Sequence, residues 1–197
     1  MSADIELKYQ ELAKQYNRFI IDLARKSIDY SLEKGGAFRA DLKNMPPELQ
    51  EKGSCFVTLE QDNNLRGCIG SIIAYRPLAE DIVDNAYAAA FRDTRFSKIT
   101  KNEFQNTELS VSLLTPFQEM TFSDEDDLLE QLRPGIDGVI IEDMGRRAVF
   151  LPVVWEYFDK KEDFMMHLKV KAGLSAKHFS NSFRASRFLS VCVKQEH

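Results

Sequence analysis

Two apolar runs on either side of a short polar segment constrain this chain most. Gly53-Ser54-Cys55-Phe56-Val57-Thr58-Leu59 and Leu65-Arg66-Gly67-Cys68-Ile69-Gly70-Ser71 flank Glu60-Gln61-Asp62-Asn63-Asn64. The pattern reads as strand–turn–strand, because Asn and Asp tolerate the backbone angles that a short loop needs. Side chains on the second strand alternate between faces, with Leu65, Gly67 and Ile69 on one and Arg66, Cys68 and Gly70 on the other. Strand geometry then sets Arg66 and Cys68 side by side, about 7 Å apart. Glycine inside a strand costs stability and packs nothing, so Gly67 and Gly70 mark a bulge or the close approach of a backbone or ligand.

A cation beside a thiol favours the reactive thiolate. One reading of the stretch is therefore a small site with Cys68 as nucleophile or ligand and Arg66 as anion clamp. The other is structural: a buried small cysteine, a paired arginine, and glycines that bend a sheet. The residues alone leave both open.

The rest of the chain narrows the class of protein. A net charge of −5 argues against broad binding to a phosphate backbone. Cys55, Cys68 and Cys192 are odd in number and far apart, which points to reduced thiols in a cytoplasmic compartment. No CxxC or HxxxH spacing supports a structural zinc site. No run approaches the roughly 20 apolar residues of a membrane span, and the first residues lack a signal-peptide layout. A length of 197 residues suits one domain, 1–197, with a smaller lobe near 105–155.

Taken in order, Leu12, Tyr16, Phe19, Ile20, Leu23 and Tyr30 recur at helical spacing, and Gly35-Gly36 ends the run, giving one long helix over 4–33. Residues 37–52 carry no period and read as a loop beside the signature strands. Arg76-Pro77 opens a second helix with a Leu78, Ile82, Ala86, Tyr87 and Ala90 stripe, whose alanines allow close approach to a sheet. Glu108 to Thr115 alternates as a half-buried strand that Pro116 ends. Ser123 with Asp126 suggests a capping box for a helix through Leu132. Residues 138–142 and 148–151 form a hairpin, Asp159 with Glu162 caps a helix ending at Gly173, and 183–193 is a last strand. Helices and strands intermix without a βαβ rhythm, so the fold class is α+β with antiparallel pairing.

Leu65-Arg66-Gly67-Cys68-Ile69-Gly70 after Cys55-Phe56-Val57-Thr58-Leu59 resembles the signature of the AMMECR1 family. Further matches follow in order: Arg92-Asp93-Thr94-Arg95-Phe96, Glu108 to Pro116, Pro134-Gly135-Ile136-Asp137-Gly138, Phe150-Leu151-Pro152 and Lys171-Ala172-Gly173-Leu174. The chain departs at Thr94, where the family often has proline, and at Val153, where glutamine is common. The resemblance implies a two-lobed α+β unit with mixed sheets. It also implies a shared modification pathway with MEMO-like and radical-SAM proteins. It names no cofactor and no reaction.

Two functional classes follow. The first is an enzyme, or part of an enzyme system, acting on a small anionic substrate through Cys68 and Arg66. Gly67 and Gly70 would line the ligand's approach, and Arg95 and Asp93 would contribute nearby. The structural reading of Asp93 and Arg95 is a cap and ion pair at a helix end. The second class is a binding module whose glycine-rich strand receives a partner's chain as a docking edge. A Cys/His pair has His167, His178 and His197 to draw on, and a surface or packing role suits His167 better.

Overall fold

The computed structural model describes residues 3–195. The helix expected over 4–33 is two helices, Ala3–Gln15 (α1) and Asn17–Lys34 (α2), with Tyr16 between them at φ −110° and ψ 17°. Backbone bonds from Tyr16 to Leu12 and from Ile20 to Tyr16 carry the ladder across the joint, and the Tyr16 hydroxyl donates to Glu48 at 2.9 Å. Gly35, at φ 67°, closes α2 in the left-handed region that glycine enters without a Cβ penalty. The stretch expected to be loop holds a 3-10 turn, Leu42–Asn44, and a one-turn helix, Pro47–Gln50 (α3), which buries Leu49.

Next come strands Lys52–Gln61 (β1), Asn64–Gly70 (β2) and Arg76–Pro77 (β3), helices Leu78–Phe91 (α4) and Lys101–Gln105 (α5), and strand Glu108–Leu114 (β4). Gln118–Glu119 (β5), Glu125–Gln131 (α6), Gly138–Asp143 (β6), Arg146–Phe150 (β7), Lys161–Lys171 (α7), Arg184–Phe188 (β8) and Ser190–Lys194 (β9) follow. The apolar 183–193 run is thus two strands, and they belong to different sheets. The chain divides into two compact units, one of Ala3–Thr115 with the strand from Val191, the other of Pro116–Ser190.

In the first unit β2-β1-β4-β9 lie in that order, and β3 pairs with the start of β1. Residues 105–115 belong here because β4 pairs antiparallel with β1 from Glu60↔Glu108 to Ser54↔Leu114. Val57, Leu59, Leu109, Val111 and Val193 pack into one core with Ile20, Ala24 and Ile28 of α2 and Ile82, Ala86 and Ala89 of α4. α4 carries the expected alanine stripe, and its buried Asp81 ties it to β1. That carboxylate accepts from the Cys55 N–H at 2.9 Å, the Asn85 amide at 2.9 Å and Arg76 Nε at 2.8 Å.

In the second unit the order is β5-β8-β6-β7, all antiparallel. α6 opens on Asp124, which accepts from the Asp127 N–H, while Ser123 donates to Asp127. The expected Ser123/Asp126 box is therefore shifted by one residue. α7 starts at Lys161 with no side-chain cap, so the Asp159/Glu162 pair does not open it. Its end is as expected, with Gly173 at φ 76° and Leu174 N–H bonded to Lys169 C=O at 2.9 Å. Trp155 stacks on Phe164 at 3.6 Å and donates to Asp137 C=O at 2.7 Å, at the centre of this core.

Candidate functional site

The β1–β2 hairpin turns on Asp62 and Asn63, both at positive φ (50° and 60°), the conformation that matches strand twist in a two-residue loop. Past the turn the register slips. Glu60 pairs with Leu65 but Leu59 pairs with Gly67, so Arg66 is the extra residue of a bulge. Ser71 N–H bonds Cys55 C=O, and the alternation of antiparallel ladders makes Thr58↔Cys68 and Phe56↔Gly70 the non-hydrogen-bonded pairs. Side chains in such pairs lie close, and Thr58 Oγ1 donates to Cys68 Sγ at 3.4 Å.

β2 is an edge strand, so the N–H and C=O of Cys68 point off the sheet. Two residues from the loop after α4 meet them. The Asp93 carboxylate accepts the Cys68 N–H at 2.9 Å, and Arg95 Nη2 donates to the Cys68 carbonyl at 3.2 Å. Asp93 also takes Arg95 Nε at 2.9 Å and Nη2 at 2.7 Å, so the pair is a closed fork. The Arg95 hydrogen bonds, with that from Cys68, hold the buried Asp93 carboxyl well below the usual range. The Asp93 hydrogen bond raises the Arg95 guanidinium. Together they occupy the place of a strand neighbour at Cys68, and the residue itself stays half-buried.

The bulge takes Arg66 out of the Cys68 alternation expected from the sequence. Its buried guanidinium donates to Glu103 at 3.3 and 3.4 Å and to Ser97 at 3.5 Å, and Nη1 is buried with no hydrogen-bond partner among the described residues. Glu103 is fixed by a capping box at the start of α5, with its Oε2 accepting from Thr100 N–H at 2.7 Å and Thr100 Oγ1 at 2.8 Å. Those bonds, helped by Arg66, keep its carboxyl below the usual range. Arg66 and Arg95 lie against the same ring, Phe96, at 5.9 and 5.4 Å. The cation bonded at Cys68 is Arg95, and Arg66 is paired with Glu103 instead.

Each signature glycine makes room for a neighbour within the chain. A Cβ on Gly67 would lie 2.3 Å from the Ala89 carbonyl oxygen of α4, and one on Gly70 would lie 2.2 Å inside the Phe56 ring. Among the described residues no three His, Cys, Asp or Glu side chains group as a metal set, and no helix is long and apolar enough to cross a membrane. Tyr75 is exposed against Arg76, Tyr87 packs on Phe91 and Arg92, and residues 38–40 of the expected loop line a cleft with Arg76 and α4. His167 bonds Asp163 C=O and packs on Phe158, so it stays structural.

Thr58, Glu103 and the Thr100 capping box escaped the sequence reading, although Thr-x-x-Glu is a recognisable signal at 100–103. His178, a candidate partner for a cysteine in the sequence, is bonded to a carboxylate instead. Its Nε2 lies 2.6 Å from buried Asp143, which accepts from Ser180 and Ser182 at 2.7 Å each.

An antiparallel α+β chain, with a bulged edge strand whose cysteine is clasped by an Asp-x-Arg loop, defines the class of protein. The AMMECR1 family profile matches residues 21–193, and the chain belongs to that family. Protein LS215_2104 of Saccharolobus islandicus is 35% identical over 96% of this chain and 86% of its own length. A protein of Methanothermobacter thermautotrophicus is 32% identical over 85% of this chain and 88% of its own. The crystal structure of the uncharacterized protein PH0010 from Pyrococcus horikoshii superposes with a TM-score of 0.80 at 30% identity, covering 93% of each chain.

Proposed function

We propose that the hairpin end around Cys68 is a thiol site for a small anionic substrate, and that this chain acts as an enzyme or as one component of an enzyme system. The observation that carries the reading is the clasp: both backbone polar groups of Cys68 are held by Asp93 and Arg95, while the residue is left half-buried with its sulfur beside the Thr58 hydroxyl. A rigid backbone under a partly open sulfur is what a positioned nucleophile requires. Cys68 supplies the sulfur and Arg95 the nearby positive charge. Arg66, paired with Glu103, adds a buried positive charge at the same end of the hairpin. The pathway shared with MEMO-like and radical-SAM proteins, in a cytoplasmic setting, belongs to this proposal.

The docking-edge alternative is weaker. Pairing with an incoming strand needs free N–H and C=O groups on the edge, and at Cys68 these are taken. The two glycines that suggested a docking surface are filled by Ala89 and Phe56.

The test is to incubate the protein and its Cys68→Ala variant with a small-molecule cell extract and compare intact masses and depleted metabolites. A Cys68-dependent adduct, or loss of one anionic metabolite, is expected. Identical profiles for both proteins would remove the thiol from the function.

A further inference from the structure

The second unit contains a cleft of about 620 Å³ at the free end of the β6–β7 hairpin, lined by Arg146, Arg147, Arg184, Glu142, Asn181 and Ser182 among others. The strand register explains why the arginines gather there. Glu142 pairs with Arg147 on β7 and with Arg184 on β8, so the three side chains form one row across three strands. Arg147 Nε meets one Glu142 oxygen at 3.2 Å and Arg184 Nη2 meets the other at 3.5 Å. One carboxylate thus serves two guanidiniums. Arg146, just past the Met144-Gly145 turn, has no ion pair among the described residues.

A second carboxylate lies at this end of the hairpin but is already committed. Asp143 is buried and accepts from His178 Nε2, Ser180 Oγ, Ser182 Oγ and the Met144 N–H. These bonds tie residues 178–182 to the hairpin and fix the wall that bears Asn181 and Ser182. In a chain with a net charge of −5, three exposed arginines against two carboxylates, Glu142 in the row of Arg147 and Arg184 and buried Asp143 opposite Arg146, are a local excess of positive charge. Exposed pairs such as Arg147–Glu142 and Arg184–Glu142 contribute little, so a better anion can displace them. Planar guanidinium forks match phosphate oxygens in pairs, and a cleft of this size holds a small ligand.

We propose that this cleft binds the phosphates of a small oligophosphate-bearing molecule, with Arg146, Arg147 and Arg184 as the phosphate ligands and Asn181 as a flanking donor. The proposal uses no residue of the Cys68 site and does not depend on that reading. The test is calorimetric titration of the full chain, at near-physiological salt, with inorganic pyrophosphate in one arm and ADP in the other. Binding with a Kd of about 1 mM or tighter is expected in at least one arm. Tighter ADP binding assigns a nucleotide, and equal affinity assigns a free oligophosphate. The Arg146→Ala/Arg184→Ala double variant should weaken binding at least about tenfold. Both residues are exposed, so its melting temperature should match that of the parent. Arg146→Lys should recover only part of the loss, because an ammonium lacks the fork. Arg39→Ala, an exposed arginine of the other unit, should bind like the parent. Absence of binding in both arms would overturn the proposal. So would a double variant that binds unchanged, or an Arg39→Ala variant that loses as much.

Discussion

The two hairpins of this chain use the same turn chemistry for opposite ends. β1–β2 turns on Asp62-Asn63 and β6–β7 on Met144-Gly145, all at positive φ. At each hairpin one buried aspartate, Asp93 from the loop after α4 or Asp143 of β6 itself, gathers neighbouring donors. In the first, Asp93 is spent on the backbone of Cys68, and Arg95 is folded back onto the strand. In the second, Asp143 is spent on His178, Ser180 and Ser182, and the arginines line an open cleft. A carboxylate that holds a strand edge leaves a side chain on the strand as the exposed chemistry. One that holds a loop leaves the surrounding arginines at the surface, where Arg147 and Arg184 share Glu142.

Gly67→Ala is the sharpest way to break the contrast. The new Cβ meets a backbone oxygen at 2.3 Å, so β2 or α4 must move, and about 3 kcal/mol of stability should be lost in urea unfolding. A loss under about 1 kcal/mol would mean that the helix is not seated on the strand as described. Asp93→Ala comes next, at about 2 kcal/mol, because a buried strand N–H loses its acceptor.

Both aspartates also predict an acid response. Their folded-state carboxyls lie below the ordinary value, so their stabilisation is present above the unfolded pKa of about 4 and is lost as pH falls below it. Urea midpoints of the parent should drop between roughly pH 5 and pH 3, and Asp93→Asn should flatten that slope. Gly145→Ala should cost the least, about 1 kcal/mol. Nothing lies within 4 Å of its Cβ, and only the φ of 72° resists.

Much of the fold was legible where one local rule acted alone. The strict alternation of 108–115 gave β4, Asp62-Asn63 gave the first turn, and Gly35 and Gly173 marked their helix ends. What stayed hidden depended on contacts distant in sequence. The 183–193 run looked like one strand because nothing local shows that Arg184–Phe188 and Ser190–Lys194 join separate sheets. The sequence leaves Asp93 and Arg95 open between an ion pair at a helix end and a charge near Cys68, and strict alternation puts Arg66 beside the thiol. One inserted residue of bulge breaks that parity, and such a slip is not visible in composition or period. The partner of His178 is hidden for the same reason, because Asp143 lies 35 residues away.

Competitive alkylation of the native protein with limiting iodoacetamide at pH 7.5, read out by peptide mass spectrometry, tests the Cys68 site most directly. Cys55 is buried, and burial with Asp81 alongside pushes its thiol up, so it should stay unlabelled, while Cys192 is exposed on β9 and supplies the rate of an ordinary surface thiol. Cys68, although less exposed, should label severalfold faster than Cys192, and Arg95→Gln should remove that advantage. Labelling of Cys68 slower than Cys192, unchanged by Arg95→Gln, would contradict the account and leave the clasp as a guard on a strand edge.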